Sequence, residues 1–439
     1  MKYFGTDGIR QPSDKFTPEF VTSIVKGLSD YAGNTAKVLI AGDTRESTEW
    51  ILADLESALE TFGLDYGNAG VLPTPAINYC FPEMGFDYAI DVTASHNPYT
   101  DNGIKIFERS PSGTGVKLSK KGREVIESSL ESGQTYTLVS PTIREDLHTE
   151  AVTLYQNHLI DYLGSANFAD LNIGMDCANG ATSVINKNIF EQFGANVTLI
   201  NINDTYNTNI NKDCGSTHLG QLQHLVTTNS LDFGVAFDGD GDRVLMVDHA
   251  GNIVDGDQII AILAEYLHLD SIAVSVMANQ GLLNWASSAD IRVEITPVGD
   301  SNVAEAMQKY NIPIGGEQSG HIILPGEATG DGMLTALMVT KAVAATGKSL
   351  QDLAAIMAKS PQVNLTMSAT PAQKSSLATS DVVKSTISQF EQKVKSVNGR
   401  LLVRPSGTEP LIRITIWGDD EKTITALAEE LKEKLSKNL

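Results

Sequence analysis

Hydrophobic and polar positions along the chain repeat one short pattern three times. An apolar run of strand type leads into small and Asx residues suited to a turn and a helix N-cap, and a helical stretch follows. The three segments are KVLIAGDTRES from residue 37, LNIGMDCANGAT from residue 171 and SIAVSVMANQGLL from residue 271. The pattern predicts a strand followed by a helix at each of these positions.

A further strand-like run follows each of these units and ends in a polar loop. The runs with their loops are FDYAIDVTASHNP, LDFGVAFDGDGDR and IPIGGEQSGH, and the strands predicted after the loops are NGIKIFE, DRVLMVD and GHIILPG. The correspondence indicates an internal repeat of β-α-β-β type, with the loops at equivalent positions. Ligands of open α/β sheets bind at such strand ends, so we expect these loops to carry the chemistry.

The pattern changes after Pro361. It predicts a strand at QVNLTMSA, one amphipathic helix over about 373–397, two strands around the loop of GRLLVRPSGTEPLIRITIWG and a closing helix at DDEKTITALAEELKEKL. The predicted fold class is therefore α/β, with three related α/β domains with mixed sheets and a smaller α+β C-terminal domain. The predicted domain boundaries are 1–145, 146–247, 248–360 and 361–439.

Composition narrows the classes of partner. The formal net charge is −22, and a field of that sign repels nucleic acid and anionic membranes. An anionic substrate therefore requires a local cluster of Arg and Lys at its site. Cys80, Cys177 and Cys214 are widely spaced and form no CxxC, which argues against a disulfide framework and a zinc site. Since neither a signal-peptide pattern nor an apolar run of membrane-spanning length is found, the cytoplasm is the expected location.

The loop DGDGDR is the strongest single indication of chemistry. Asp238, Asp240 and Asp242 alternate with glycines, so their carboxylates can turn toward one point, and hard oxygen ligands suit Mg²⁺. A calcium-binding EF-hand loop is the rival interpretation. Counting from Asp238, its required Gly at the sixth position is Arg243 and its Glu at the twelfth is His249, so the rival fails. A magnesium ion here expects a phosphoryl group nearby, because Mg²⁺ uses few protein ligands.

The loop TASHNP offers a place for such a phosphoryl group. Pro98 disfavours helix at the preceding residue, so Ser95 and His96 lie on a turn that displays their side chains. A serine beside His96, with Lys105 downstream, can carry a phosphoryl group whose charge a metal and the lysine neutralise. No GxSxG sequence surrounds the serine, which makes an acyl-transfer triad the weaker interpretation.

A further polar loop, GEQSGH, is suited to binding hydroxyl groups. In GEQSGH, the side chains of Glu317, Ser319 and His321 occupy alternate positions, so all three can face one side of an extended segment and hold sugar hydroxyls. A Gly-bounded polar turn without function is an equally weighted alternative for that loop taken alone.

The C-terminal loop RPSGTEP is suited to a phosphate group. Arg404, Ser406, Gly407 and Thr408 offer a guanidinium, two hydroxyls and backbone N–H groups that can surround a phosphate. Near the N-terminus, FGTDGIR places Arg10 after two glycines. Arg10 is one of the few basic residues available to offset the acidic charge of the chain.

These motifs together resemble those of the α-D-phosphohexomutase family. FGTDGIR, TASHNP with DNGIK, DGDGDR, GEQSGH and RPSGTEPLIR occur in the family's order, and the resemblance spans the whole chain. It implies three related α/β domains and a fourth domain around a central cleft. It also implies a resting enzyme phosphorylated on Ser95, and Mg²⁺ on Asp238, Asp240 and Asp242 with the phosphoserine as a further ligand.

The activity implied by the resemblance is a phosphoryl exchange between Ser95 and hexose or hexosamine phosphates through a 1,6-bisphosphate intermediate. Charge at the transferring group would be neutralised by Arg10, Lys105 and Arg243. His96 and Lys105 are both candidates for the general acid and base, and the sequence does not rank them. The sequence also leaves the assembly open, with a homodimer as one option.

Details of the motifs bear on the identity of the sugar substrate. GEQSGH, FDGDGDRVLMVD and SGTEPLIR most resemble the branch of the family that acts on glucosamine phosphates, and Gln318 stands where the phosphomannomutase/phosphoglucomutase branch tends to have Met. The chain has VGDSN at 298–302 where mutases of this branch usually have VGDRY, which touches substrate preference more than chemistry. The phosphomannomutase/phosphoglucomutase branch is the alternative function, and a non-catalytic sugar-phosphate-binding relative is the alternative from another class.

Overall fold

The computed structural model describes residues 2–5, 7–33, 35–142, 146–185, 188–406 and 410–439. The chain divides into two compact units. The first comprises Met1–Met277 and Ile291–Ile356, and the second comprises Ala278–Asp290 and Met357–Leu439. A short segment from the middle of the chain therefore groups with the C-terminal part.

The first sheet of the first unit has seven strands, ordered β1-β2-β6-β5-β3-β4 with β7 beside β6. Its strands are β1 (Phe4–Gly5), β2 (Gly8–Pro12), β3 (Lys37–Gly42), β4 (Asp65–Val71), β5 (Tyr88–Val92), β6 (Asp101–Arg109) and β7 (Gly115–Lys117). The accompanying helices are α1 (Pro18–Ala32), α2 (Glu46–Thr61), α3 (Thr74–Glu83) and α4 (Lys120–Ser132).

Two smaller sheets complete the first unit, ordered β12-β11-β10-β8-β9 and β14-β13-β15-β16. Their strands are β8 (Asn172–Asp176), β9 (Asn196–Ile200), β10 (Phe233–Phe237), β11 (Val244–Asp248), β12 (Ile253–Val254), β13 (Ser271–Ser275), β14 (Arg292–Thr296), β15 (Ile314–Gly316) and β16 (Ile322–Ile323). The helices of this part of the chain are α5 (His148–Leu163), α6 (Asn188–Gln192), α7 (Gly220–Asn229), α8 (Gly256–Tyr266), α9 (Gln280–Ser288, in the second unit), α10 (Asp300–Tyr310), α11 (Gly332–Thr346) and α12 (Leu350–Ala354).

The predicted internal repeat is confirmed by strand pairing. The three sheets contain the equivalent orders β6-β5-β3-β4, β11-β10-β8-β9 and β16-β15-β13-β14. In each, the first three strands of the repeat are parallel and the fourth returns antiparallel beside the third. The predicted loops TASHNP, DGDGDR and GEQSGH thus join the third strand to the fourth in every repeat. One predicted helix is much reduced, because a single 3-10 turn at Ala181–Val184 and the five-residue α6 follow β8.

The strands at the centre of these sheets are buried along their whole length. All five residues of β10 and of β13 are buried, which explains their unbroken apolar sequences, since central strands covered on both faces need no polar side. Burying such strands fixes their register. The loops that follow them are therefore presented from rigid supports.

Helix α11 is apolar around nearly its whole circumference. Eleven of its fifteen residues are buried inside the first unit, as expected for a helix packed on all sides. Length and hydropathy together exclude a bilayer-crossing helix throughout the described ranges.

The second unit contains an antiparallel three-stranded sheet ordered β17-β19-β18, covered by helices. Its remaining elements are β17 (Gln362–Ser368), α13 (Pro371–Thr379), α14 (Asp381–Lys395), β18 (Arg400–Pro405), β19 (Leu411–Trp417) and α15 (Glu421–Asn438). Val383 and Phe390 of α14 pack with Ile414 of β19 and Leu431 of α15 in a core of their own. This is the predicted α+β domain.

The prediction of one helix over about 373–397 was wrong. Two helices, α13 and α14, meet at Ser380, whose backbone is extended with φ −84° and ψ 120°. The Ser380 hydroxyl accepts a hydrogen bond from the Val383 N–H at 3.4 Å and so begins a new helix. A Ser-Asp pair in that position favours an N-cap over a continuous helix.

A buried carboxylate joins α5 to the start of α11. Asp331 Oδ1 accepts a hydrogen bond from the Leu334 N–H at 2.8 Å, which caps α11, and Asp331 Oδ2 accepts one from the Tyr155 hydroxyl at 2.7 Å. Burial raises the pKa of Asp331 to about 6 despite both hydrogen bonds. The native state therefore favours the protonated form of Asp331 more than the unfolded chain does.

Replacing Asp331 by Asn tests the free-energy cost of burying the charge of this carboxylate. Asn can also cap a helix through its side-chain oxygen, and its NH2 group can donate to the Tyr155 hydroxyl, but it carries no charge to bury. We expect Asp331→Asn to have a higher Tm than the native protein at pH 7. Its advantage should shrink between about pH 6 and pH 4, because native Asp331 takes up a proton there and loses the penalty. Calorimetry across this range measures both effects.

Asp420→Asn is the matched control. Asp420 caps α15 by accepting from the Thr423 N–H at 2.8 Å, but it is solvent-exposed and its hydrogen bonds lower its pKa. That substitution should bring no gain at pH 7. An Asp331→Asn variant whose Tm follows the native pH profile would contradict the prediction.

Candidate active site

The serine of TASHNP lies in a strained backbone conformation between β5 and β6. Ser95 is buried and has a φ of 54°, in the left-handed region that non-glycine residues seldom occupy. Its N–H donates to Thr93 Oγ1 at 2.9 Å, and its hydroxyl donates to Asp238 Oδ2 at 2.7 Å. The loop therefore directs the serine hydroxyl at the loop that follows β10.

Three aspartates follow β10 with their carboxylates close together. One oxygen from each of Asp238, Asp240 and Asp242 lies within 4.8 Å of the others, and all three residues are buried. Gly241 between them has a φ of 72°, a conformation that brings the last two carboxylates round and that glycine adopts without strain. This arrangement is the one expected from the alternating sequence.

The triad fits a hard divalent cation. The Oδ1 atoms of Asp240 and Asp242 are buried and accept no hydrogen bond from the described part of the chain. Unsatisfied buried carboxylate oxygens are costly unless a positive group uses them. Burial and the two neighbouring carboxylates raise the pKa of Asp238 well above its usual value, although the charge of Arg243 opposes this shift.

Lys105 on β6 is the cation nearest to the triad. Its Nζ lies 2.7 Å from Asp240 Oδ2, 3.0 Å from Asp242 Oδ2 and 3.2 Å from Asp7 Oδ2. Burial alone would lower the pKa of Lys105, but these carboxylates raise it well above its ordinary value. Lys105 is therefore held as an ammonium, which suits charge neutralisation better than proton abstraction.

The pKa of His96 is shifted in the direction opposite to that of Lys105. Its Nδ1 lies 3.2 Å from Ser95 Oγ. Burial, with the positive charges of Arg243 and Arg10, lowers the pKa of His96 to about 3. A neutral imidazole therefore lies beside the serine, and the roles of His96 and Lys105 as general acid and base stay predictions.

The two arginines flank the aspartates. Arg243 Nε lies 3.7 Å from Asp242 Oδ1 and 3.9 Å from Asp238 Oδ2, and Arg10 Nη2 lies 2.6 Å from Asp7 Oδ2. Both guanidinium groups have raised pKa values, because nearby carboxylates outweigh the opposing effect of burial. The acidic protein thus concentrates cations at this site, as an anionic substrate requires.

The loop GEQSGH is a tight turn between β15 and β16, which corrects the expected extended segment. The Gly320 N–H donates to Glu317 O at 2.9 Å, and the Glu317 N–H donates to His321 O at 3.0 Å. Gly320 has a φ of 93°, which closes the turn. Ser319 is exposed on this turn, and His321 is buried.

The GEQSGH turn contacts the DGDGDR loop directly. The Val244 N–H donates to Gly320 O at 3.1 Å, and His321 Nδ1 lies 3.6 Å from Asp242 Oδ2. Burial would lower the pKa of His321, but Asp242 and Asp300 raise it above its usual value. The Gly330 N–H donates to His321 Nε2 at 3.2 Å, so the imidazole is held in place beside the triad.

Sequence reasoning missed a chain of charges beside this turn. Lys117 of β7 forms ion pairs with Asp7 and Asp300, and Asp300 Oδ2 lies 3.7 Å from His321 Nε2. Lys117, Asp300 and His321 also line a cavity of about 750 Å³, enough for a sugar phosphate. The departure VGDSN, which contains Asp300, was the one sequence feature that pointed here.

The phosphate loop of the second unit is described only in part. Arg404 lies at the end of β18, and the buried Ser406 follows it with its N–H donating to Leu411 O at 2.8 Å. Gly407 and Thr408 lie outside the described residues. Their predicted phosphate contacts stay predictions.

Fold and site together define a phosphoryl-transfer enzyme of the sugar mutase type, and comparison with known proteins gives the family. Models of phosphoglucomutase/phosphomannomutase α/β/α domains I, II and III match residues 1–137, 153–251 and 255–360, and a model of the C-terminal domain matches 343–434. The chain belongs to the phosphoglucomutase/phosphomannomutase family.

Individual relatives agree with this assignment. A phosphoglucosamine mutase of Caldicellulosiruptor bescii is 42% identical over 456 residues, covering 100% of this chain and 99% of its own. The crystal structure of a phosphoglucomutase/phosphomannomutase family protein from Burkholderia thailandensis superposes with a TM-score of 0.76 at 18% identity. The match covers 98% of this chain and 96% of that protein. The structure of an Aspergillus fumigatus N-acetylphosphoglucosamine mutase in complex with GlcNAc-6P and magnesium superposes with a TM-score of 0.63 at 16% identity. The match covers 99% of this chain and 95% of that protein.

Gly239 allows the serine loop and the triad to approach. A Cβ at this position would lie 2.7 Å from Ser95 O and 2.7 Å from Asn211 Nδ2. We expect Gly239→Ala to lower the free energy of unfolding by about 1–3 kcal/mol, as for overpacked sites, and to reduce activity by separating Ser95 from Asp238. Urea unfolding measures the change in the free energy of unfolding, and an assay of sugar-phosphate mutase activity measures the loss of activity.

Gly220→Ala is the control for Gly239→Ala, since a Cβ at Gly220 meets no atom within 4 Å. It should leave both the free energy of unfolding and activity near native. Equal behaviour of the two variants would show that the loops are not in close contact.

Proposed function

We propose that the protein interconverts glucosamine 6-phosphate and glucosamine 1-phosphate through a phosphorylated serine and a 1,6-bisphosphate intermediate. The observation that carries this proposal is the hydroxyl of Ser95, 2.7 Å from Asp238 in a buried aspartate triad. The substrate class is supported by the phosphoglucosamine mutase of C. bescii, which is similar along the whole chain.

The first half of the reaction transfers the phosphoryl group from Ser95 to the sugar. The P–O bond to Ser95 Oγ breaks as a new P–O bond forms to O1 of glucosamine 6-phosphate. The O1 hydroxyl loses its proton and Ser95 Oγ regains one, so charge and atoms balance. The 1,6-bisphosphate then turns over, and its 6-phosphoryl group passes to Ser95 by the same exchange in reverse.

His96 and Lys105 take different parts in this exchange. His96, whose Nδ1 lies 3.2 Å from Ser95 Oγ, is a candidate for proton exchange with the serine oxygen. Lys105 stays charged and offsets the negative charge that spreads over the transferring group. Arg10 and Arg243 add to that neutralisation.

The triad residues Asp238, Asp240 and Asp242 would hold Mg²⁺, with the Ser95 phosphate as a further ligand. Their buried, unsatisfied oxygens fit such an ion, and the A. fumigatus relative was crystallised with magnesium. Bound Mg²⁺ would supply charge neutralisation at the phosphoryl group.

Recognition of the rest of the substrate is assigned to the other loops. Glu317, Ser319 and His321 would hold sugar hydroxyls beside the cavity that His321 and Asp300 line. In the second unit, Arg404, Ser406, Gly407 and Thr408 would hold the non-reacting phosphate. A cytoplasmic location and a homodimer remain predictions from the sequence.

Replacing Ser95 by Ala tests the phosphoryl carrier. We expect kcat with glucosamine 6-phosphate, primed by the 1,6-bisphosphate, to fall at least about a thousandfold, because the group that carries the phosphoryl is gone. Mass spectrometry should detect the phosphoryl group on native Ser95 and none on the variant. Ser128→Ala, on the exposed side of α4, should retain native activity.

Substrate comparison decides between the branches of the family. Glucosamine 6-phosphate should give a higher kcat/KM than mannose 1-phosphate or glucose 1-phosphate. A preference for either hexose phosphate would replace the substrate and keep the mechanism. If none of the three is converted, the protein is a sugar-phosphate binder without catalysis.

Metal removal tests the triad. Chelation should abolish turnover and added Mg²⁺ should restore it. We expect Asp240→Asn to raise the Mg²⁺ concentration required for half-maximal activity by about tenfold or more, since it removes a charged ligand. Asp213→Asn, at an exposed position of the same repeat, should leave the Mg²⁺ requirement unchanged. Full activity in the presence of chelator would contradict the assignment.

A further inference from the structure

The turn after β3 ends in a fully buried arginine whose donors are directed at the serine loop. Arg45 Nε donates to Asp43 Oδ2 at 2.8 Å. Its Nη2 donates to Ser95 O at 2.6 Å, and its Nη1 donates to Pro98 O at 2.6 Å and to Asp101 O at 3.1 Å. The guanidinium thus contacts the start, middle and end of the loop.

A buried guanidinium is expensive unless all of its surroundings are arranged for it. Here one carboxylate balances the charge of Arg45, and three backbone carbonyls use its planar fork of N–H groups. A lysine could not reach three carbonyls in a plane from one position. The site is therefore built for arginine in particular.

A second donor reaches the same carbonyl from the next repeat. Asn211 Nδ2 donates to Ser95 O at 2.8 Å and to Asn97 O at 3.1 Å. Ser95 O therefore accepts hydrogen bonds from Arg45 and from Asn211, which uses both of its lone pairs. The orientation of the peptide group after the serine is fixed from two sides.

The two donors belong to one connected structure. The Glu46 N–H donates to Asn207 O at 3.0 Å, and the Asn207 N–H donates to Thr44 O at 2.7 Å. These bonds tie the turn that carries Arg45 to the segment that carries Asn211. Movement of one donor is thereby coupled to the other.

The hydrogen bonds from Arg45 and Asn211 to the serine loop form a clamp, and this clamp has a consequence for Ser95. A φ of 54° is unfavourable for a residue with a side chain, so Ser95 needs external contacts to keep it. Rotation of the Ser95 backbone toward the ordinary region would carry its Oγ away from Asp238. Ser95 itself makes the catalytic contact, whereas Arg45 and Asn211 touch only backbone oxygens of the loop.

We propose that Arg45 and Asn211 are positioning residues that hold the Ser95 hydroxyl in line for phosphoryl transfer. The inference rests on the proposed phosphoserine function. It assigns to the AGDTR segment a role in the rate of transfer, separate from substrate binding. Misplacement of a reacting atom by about 1 Å can cost about a hundredfold in rate.

The test compares Arg45→Lys and Asn211→Ala with the native enzyme. We expect kcat and the single-turnover rate of phosphoryl transfer from preloaded phosphoenzyme to fall about tenfold to a hundredfold, with KM for glucosamine 6-phosphate within about twofold of native. Rates are normalised to phosphoserine content, so that loss of folded protein does not imitate the effect. Arg109→Lys, an exposed arginine at the end of β6, is the matched control and should be native in both constants.

The double variant separates positioning from general damage. Because both donors act on one carbonyl, the loss in the Arg45→Lys, Asn211→Ala variant should be smaller than the product of the single losses. Losses that multiply, a change confined to KM, or native rates in both single variants would each overturn the inference.

Hydrogen exchange keeps the inference separate from the proposed function. The native protein should protect amides in 94–101, and both variants should expose them. If the native protein converts no sugar phosphate, the proposed function fails, and unchanged protection in the variants would then overturn the clamp as well.

Discussion

The structure of the first unit depends on the electrostatic constraint set by Asp238, Asp240 and Asp242. Three buried carboxylates this close repel one another, and they are tolerated only where cations approach from every side. Lys105 comes from the first repeat and Arg243 from the second, and the imidazole of His321 in the third repeat lies 3.6 Å from Asp242. These contacts bring the loops of three separate sheets to one point, which is where we propose that phosphoryl transfer occurs.

The three repeats share a topology but divide the work. In each, the loop between the third strand and the antiparallel fourth strand carries the side chains to which we assign a function: the proposed nucleophile, the aspartate triad or the proposed sugar-binding turn. Since strand ends at equivalent positions face the same edge of each sheet, one backbone plan can present three kinds of chemistry. The solved structure from B. thailandensis shares the fold, covering 98% of this chain and 96% of its own.

Much of the fold and part of the site could be predicted from the sequence. The repeat was visible because central strands such as β10 and β13 are continuous apolar runs, and the triad was visible because its spacing is local. The break at Ser380 was missed because amphipathic periodicity continues through it. Lys117 and Arg45 were missed because their partners are distant in sequence, and no local pattern reports which carbonyl or carboxylate a buried cation will meet.

The concentration of cations at this one place has a consequence for how a substrate is captured. With a net charge of −22, the molecule as a whole repels an incoming sugar phosphate at long range. That repulsion fades over about 10 Å at 0.1 M ionic strength, whereas the buried Lys105 and the partly buried Arg243 are screened much less. Salt in the cell therefore makes the site easier for an anionic ligand to approach, while contacts made with these two cations at close range keep most of their strength.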